Sequence, residues 1–322
     1  MELKPRGARK HESWPVGQPV DHPGAGRRPH ILTGGIPNLL LRPYIRPIKH
    51  EKRPIKPKTP RRKPMTVIAG IRCTDGLVLC ADSEYTVGSG KATGAKIAFS
   101  RPREGGYSLL MAGAGNMGMF DNLFQKSLAK IDASSDQSLA KITEIIERYL
   151  EIIYKKHIYP APFELIDDLN FSVLIGIWTP DSKTQLFESS ADVLNNVGDF
   201  DCKGIGHQFA YEVIRSMGCF PLTIDQAEML AAEATSRAKR FSTYVSGDTA
   251  IWSQRESDGH ILRTEKGRVA AIDAFFRQLK ESNRSLVSMM STRKLTDEQI
   301  KASLFRFSVE MEAAYSKIKN LS

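Results

Sequence analysis

From Met65 to Phe99 the chain reads MTVIAGIRCTDGLVLCADSEYTVGSGKATGAKIAF, two short β-rich segments on either side of a Thr74-Asp75-Gly76 turn signal. Val67, Ile68 and Ile71 precede the turn, and Leu77, Val78 and Leu79 follow it. Side chains of this kind favour a pleated, buried surface, and Gly76 tolerates the positive φ of a tight turn, so the segment is predicted to be a β-hairpin. Thr66 opens the first strand, Asp82 closes the second, and Lys96 lies 30 residues beyond Thr66, just before the next apolar run. All three can converge at one end of the hairpin.

Such a trio has a chemistry available to it. A threonine hydroxyl is a poor nucleophile until a base takes its proton, and a chain-terminal α-amine, with a pKa of about 7.7–8.0, can be that base. One residue then carries both groups. A nearby ammonium such as Lys96 can stabilise the developing alkoxide if a carboxylate such as Asp82 keeps it charged and oriented. Taken singly, each residue also reads as ordinary: a strand threonine, a strand-end aspartate and a solvated lysine.

The whole string resembles the opening of a proteasome β-type subunit, including the simpler bacterial relatives that form rings. In that family the mature chain begins with Thr, an Asp-Gly turn follows the first strand, an Ala-Asp-Ser triplet follows the second, and a Lys precedes the next strand. Here these are Thr66, Asp75-Gly76, Ala81-Asp82-Ser83 and Lys96, and a later Ala-Gly mark is matched by Ala112-Gly113. The resemblance implies an N-terminal-nucleophile (Ntn) hydrolase with Thr66 as nucleophile and base, Lys96 as electrostatic activator, Asp82 as its orienter and Gly113 as oxyanion donor. A glycine N–H at a strand-to-helix turn suits that last task, although Gly113 also reads as a packing glycine among small neighbours.

Further along, the sequence departs from the family pattern. Its Gly-Ser-Gly turn, whose serine supports the amine, is Gly204-Ile205-Gly206 here, and its supporting Asp is Thr243. The serine of the following Ser-Gly pair is kept as Ser246, and the family's common Arg near the Asp is Glu84. Two supports of the amine therefore differ, which implies a slower site, and Glu84 reverses a charge beside the substrate groove.

Charge is distributed unevenly. Residues 1–64 hold 16 Lys and Arg against 4 Asp and Glu, and 12 of the 17 prolines, whereas the remainder holds 30 basic and 32 acidic residues. A leader of that composition forms neither a long helix nor an interior strand. Three readings apply: a removable propeptide, a basic arm attracted to nucleic acid or membrane, or sequence upstream of the real start. The last is favoured, because initiation at Met65 followed by methionine removal exposes Thr66. The leader's apolar stretch ILTGGIPNLLL is too interrupted for a secretory signal, and no stretch approaches the roughly 20 apolar residues of a membrane span.

Cys73, Cys80, Cys202 and Cys219 show no metal spacing with the histidines, and His157, His207 and His260 read as surface or structural residues. Cys73 and Cys80, on the two arms of the hairpin, are potential neighbours, expected to be reduced in a cytoplasmic protein. No cofactor is expected.

Beyond the hairpin, strands are expected at 96–100 and 107–111, helices at about 116–130 and 138–157, and strands at 171–178 and 185–189. Helices at 207–217 and 223–241, a strand at 244–252, and helices at 269–281 and 296–319 complete the pattern. This order implies α+β architecture, specifically a four-layer α/β/β/α sandwich of Ntn-hydrolase type with a helical C-terminal extension. The expected divisions are a leader (1–64), a β-subunit-like domain (65–258) and the extension (259–322). Together with the resemblance, they imply a cytoplasmic threonine-type peptidase acting on peptide or unfolded protein. The assembly implied is a homo-oligomeric ring, with an ATPase unfoldase as a further partner and no specific nucleic-acid or membrane partner. The rival expectations are a non-catalytic ring subunit, a hydrolase of small amides, and a nucleic-acid-binding protein driven by the basic leader.

Overall fold

The computed structural model describes residues 66–321 apart from 88–89, 102–105, 219 and 292–295. The leader, Met65 and Cys219 therefore lie outside the described residues. The described chain is α+β, with two five-stranded antiparallel sheets, a two-stranded ribbon and seven α-helices.

The expected hairpin is β1 (Ile68–Cys73) and β2 (Gly76–Asp82), with Ile68 opposite Ala81 and Cys73 opposite Gly76. It is extended on one side by β10 (Phe200–Lys203), and on the other by β11 (Thr249–Arg255) and β12 (Ile261–Arg263), in the order β10-β1-β2-β11-β12. The second sheet runs β5 (Ile97–Ser100), β6 (Ser108–Gly115), β7 (Phe171–Thr179), β8 (Lys183–Ser190) and β9 (Val193–Val197). Between β2 and β5 in the chain lies a short antiparallel ribbon, β3 (Glu84–Val87) with β4 (Gly90–Thr93).

Strand periodicity explains how both faces of each sheet are buried. Leu77, Leu79 and Ala81 of β2 join Leu110, Ala112 and Ala114 of β6 and Leu174 and Leu186 in one apolar cluster between the sheets. Their alternates face away from it, as the two-residue period requires. Val78 and Cys80 pack with α4 (His207–Met217), α5 (Ile224–Phe241) and α6 (Lys266–Ser291). Leu109 and Met111 pack with α1 (Met117–Asp132) and α2 (Leu139–Ile153). The strands thus read as nearly unbroken apolar runs. The Thr-x-x-Gln spacing at Thr223 forms a capping box that starts α5, and Asp75 of the hairpin turn accepts from the Ile224 N–H at the same point.

Several sequence expectations change. Cys73 and Cys80 are not neighbours, because the register sets Cys80 against Ala69, and Cys73, Cys80 and Cys202 are free thiols. β11 begins five residues later than expected. α6 runs ten residues past Glu281 and packs on the last long helix, α7 (Asp297–Lys319). A π turn (Tyr154–Ile158) and a short helix, α3 (Phe163–Leu169), follow α2. On the helices, Phe120, Leu123 and Phe124 of α1 are buried, and Phe275 and Phe276 of α6 pack on the helix-side cluster. No helix among the described residues is long and apolar enough to cross a membrane.

Leu110 is fully buried between the sheets. Leu110→Ala is expected to cost about 2–5 kcal/mol in a chemical denaturation measurement, whereas Phe305→Ala, at a side chain 72% exposed, should change stability by no more than about 0.5 kcal/mol.

Candidate active site

The hairpin register does the first positioning. Because Ile68 opposes Ala81, Val67 lies opposite Asp82 one step beyond the ladder: the Asp82 N–H donates to the Val67 carbonyl at 3.3 Å, and the Val67 N–H donates to Asp82 Oδ1 at 2.9 Å. Asp82 is thereby fixed next to Thr66 by backbone pairing.

The third member comes from the other sheet. Lys96 immediately precedes β5, whose pairing with β6 places Ile97 opposite Ala112. From there its ammonium reaches across to donate to Thr66 Oγ1 at 2.8 Å, to Asp82 Oδ1 at 2.9 Å and to the Glu84 carbonyl. Thr66, Asp82 and Lys96 are all at most 2% exposed. Thr66 is gripped from behind by the turn 204–206, where the Gly206 N–H donates to its carbonyl at 3.2 Å. Gly204 has φ +90°, and a Cβ there would stand 2.3 Å from the same oxygen, so this turn accepts no side chain at its first position.

Burial pushes the Asp82 carboxyl above its ordinary range, with the Lys96 charge acting against it. Burial likewise pulls the Lys96 ammonium below its ordinary range, with Asp82 acting against it. Each charge is what makes the other tolerable. A lysine depressed in this way and touching a hydroxyl can stabilise an alkoxide or exchange a proton with it.

The other sequence candidates sit on β6 and on the connection between α5 and β11. The Gly113 N–H donates to the Lys96 carbonyl at 2.8 Å in the β5–β6 pairing, so in this conformation it is not an available oxyanion donor. Its lack of a side chain answers to packing instead, since a Cβ would meet the Phe120 ring at 2.5 Å. Ser246 is half-buried in the connection between α5 and β11, next to Val245, which packs against Gly206. The Ile205 side chain packs on the helix-side cluster, while the Gly206 N–H on the same turn donates to the Thr66 carbonyl. Thr243 is exposed. Glu84 joins the site by its main-chain carbonyl as well as by its charge, which favours the ammonium form of Lys96. That contact, and the part of Gly204 and Gly206 in holding Thr66, are invisible to a reading of side-chain types.

No protein-family model and no curated protein sequence matches the chain. Solved structures do match in fold. Anbu (ancestral beta-subunit) from Yersinia bercovieri aligns with a TM-score of 0.57 over 72% of this chain and 99% of that one, at 15% identity. Anbu from Hyphomicrobium sp. strain MC1 gives 0.57 over 72% and 100% at 13% identity. The Anbu complex from Pseudomonas aeruginosa, described as a helical assembly, gives 0.56 over 72% and 98% at 16% identity. These are Anbu proteins, not proteasome β-type subunits, so the proteasome β-subunit identification drawn from the sequence is corrected to a likeness of fold to Anbu.

Removing one partner of a buried ion pair strands the other. Asp82→Asn is expected to cost about 3–5 kcal/mol by chemical denaturation, and the double variant Asp82→Asn/Lys96→Met should recover most of that loss. A double variant as unstable as the single one would show that the pair is not the source of the cost.

Proposed function

We propose that this chain is a threonine-nucleophile amide hydrolase acting on peptide or unfolded protein, built on a four-layer α/β/β/α sandwich of Ntn type and working as a homo-oligomer. The observation that carries the reading is the buried ammonium of Lys96, 2.8 Å from Thr66 Oγ1 and 2.9 Å from Asp82 Oδ1. The likeness of fold to Anbu, including the helical assembly from Pseudomonas aeruginosa, supports the oligomer.

The reaction needs the Met65–Thr66 bond to be absent, so that the Thr66 nitrogen is an amine. That amine takes the hydroxyl proton as Oγ1 attacks the substrate carbonyl, and Lys96 stabilises the charge on Oγ1. Collapse of the tetrahedral intermediate breaks the C–N bond, and the amine's proton passes to the leaving nitrogen. Water, deprotonated by the same amine, then attacks the acyl-threonine ester and releases the acid. Asp82 stays ionised throughout, orienting Lys96.

A non-catalytic subunit of the same fold is the second reading. It is favoured by the 1% exposure of Thr66 and by the engagement of the Gly113 N–H in the sheet.

Activity on a peptide amide with a fluorescent leaving group separates the two. The chain begun at Met65, with that methionine removed, is expected to hydrolyse it. Thr66→Ala should abolish turnover, Thr66→Ser should retain it, and Lys96→Ala should slow it by about 10²-fold or more. A full rate in the alanine variant at position 66 would establish that the nucleophile lies elsewhere.

A further inference from the structure

The charges around Thr66 do not end at Asp82. Its Oδ1 accepts two hydrogen bonds, but Oδ2 is buried without a hydrogen-bond partner among the described residues. A carboxylate oxygen in that state needs positive charge from further away. Behind it, Thr249 of β11 opposes Asp82 in the sheet register, and the Thr249 hydroxyl accepts a 2.6 Å hydrogen bond from the ammonium of Lys239, in the last turn of α5. The Lys239 ammonium acts on Asp82 and Lys96 alike, favouring the charged form of the first and opposing that of the second.

We infer that Lys239 is a positioning residue for the Thr66 site: through Thr249 and the field it places on Asp82 it keeps that carboxylate ionised and paired with Lys96. It is balanced in this by Asp273 of α6, so that the C-terminal helices take part in the electrostatics of the site. This rests on the reading of Thr66 as the nucleophile. The groups involved come from every element around Lys239: Asp82 and Cys80 from β2, Lys96 ahead of β5, Asp248 ahead of β11, and Asp273 from α6. Asp273 in turn faces Lys239 and Arg240 of α5 and Arg277 of its own helix, lies near Glu233, and has a buried Oδ1 without a hydrogen-bond partner among the described residues.

The four alternate in sign, Lys96, Asp82, Lys239, Asp273, running from the interface of the two sheets, through the first sheet, to the outer helices. In a medium of low polarity such an alternation is more stable than any of its members alone. Burial pulls the Lys239 ammonium below its ordinary range, with Asp273 foremost among the charges that hold it up. Loss of Asp273 therefore weakens Lys239, and loss of Lys239 removes both a support for Asp82 and a repulsion on Lys96.

Lysine side-chain NMR on the full chain, with the Lys96 and Lys239 signals followed against pH, tests the alternation directly. Lys239→Met is expected to move the Lys96 titration to higher pH, Lys239→Arg to leave it as in the parent, and Asp273→Asn to move the Lys239 titration to lower pH. A role confined to packing predicts no such pattern, and an unmoved Lys96 titration in folded Lys239→Met overturns the inference. Should that variant fail to fold, Lys239→Gln decides in its place, an unmoved Lys96 titration being the contrary result. The titration reads the charges whether or not the site turns over. Absence of hydrolysis in the parent chain would count against the nucleophile and leave this result standing.

Discussion

A lysine ammonium buried between two sheets is costly unless its charge is met at once, and that constraint organises the structure around Thr66. Lys96 is 2% exposed and donates to a hydroxyl, a carboxylate and a main-chain carbonyl. The partial recovery of its lost hydration by good geometry is the condition for keeping it there at all. That geometry comes from backbone pairing: the hairpin turn sets the β1–β2 register, the register sets Asp82 beside Thr66, and β5 brings Lys96 to both. Side chains set at the ends of paired strands are held more precisely than side chains on free loops.

The same need for compensation reaches outward. Asp82 is buried on the sheet face toward α5, and the helices there carry Lys239 and Asp273 in place of a purely apolar surface. α6 and α7 are part of the packing that encloses the first sheet, with Val269, Ile272 and Ile318 buried in the same cluster as Val78 and Cys80. The C-terminal helices thus close one face of the described fold, with Asp273 of α6 near Lys239.

Much of this was legible before any coordinates. The hairpin followed from β-branched runs around a turn, and α2 followed from Leu139, Ile142, Ile146 and Leu150 at helical spacing. Thr66, Asp82 and Lys96 could be named because their chemistry resides in side chains. Gly113 and Ile205 could not be judged that way, since what decides them is where a main-chain N–H points and which way one side chain of a turn faces. β3, β4, β10 and β12 are three or four residues long and show little period, and the far half of α6 is mostly exposed, so it carries little apolar stripe. Lys239 looks like any cation ending a helix. Short motifs around a hairpin point to a fold shared by more than one family, which is why the likeness to Anbu replaced the proteasome β-subunit identification.

The central claim, that the Thr66 hydroxyl is a nucleophile activated within this cluster, is met most directly by trapping the acyl intermediate. The chain freed at Thr66 would be treated with an acylating β-lactone and the adduct located by mass spectrometry of its peptides. The account predicts one added acyl group per chain, carried by Thr66 and lost in the Thr66→Ala variant. Acylation that is absent, or that falls on another residue with Thr66 unmodified, would contradict it.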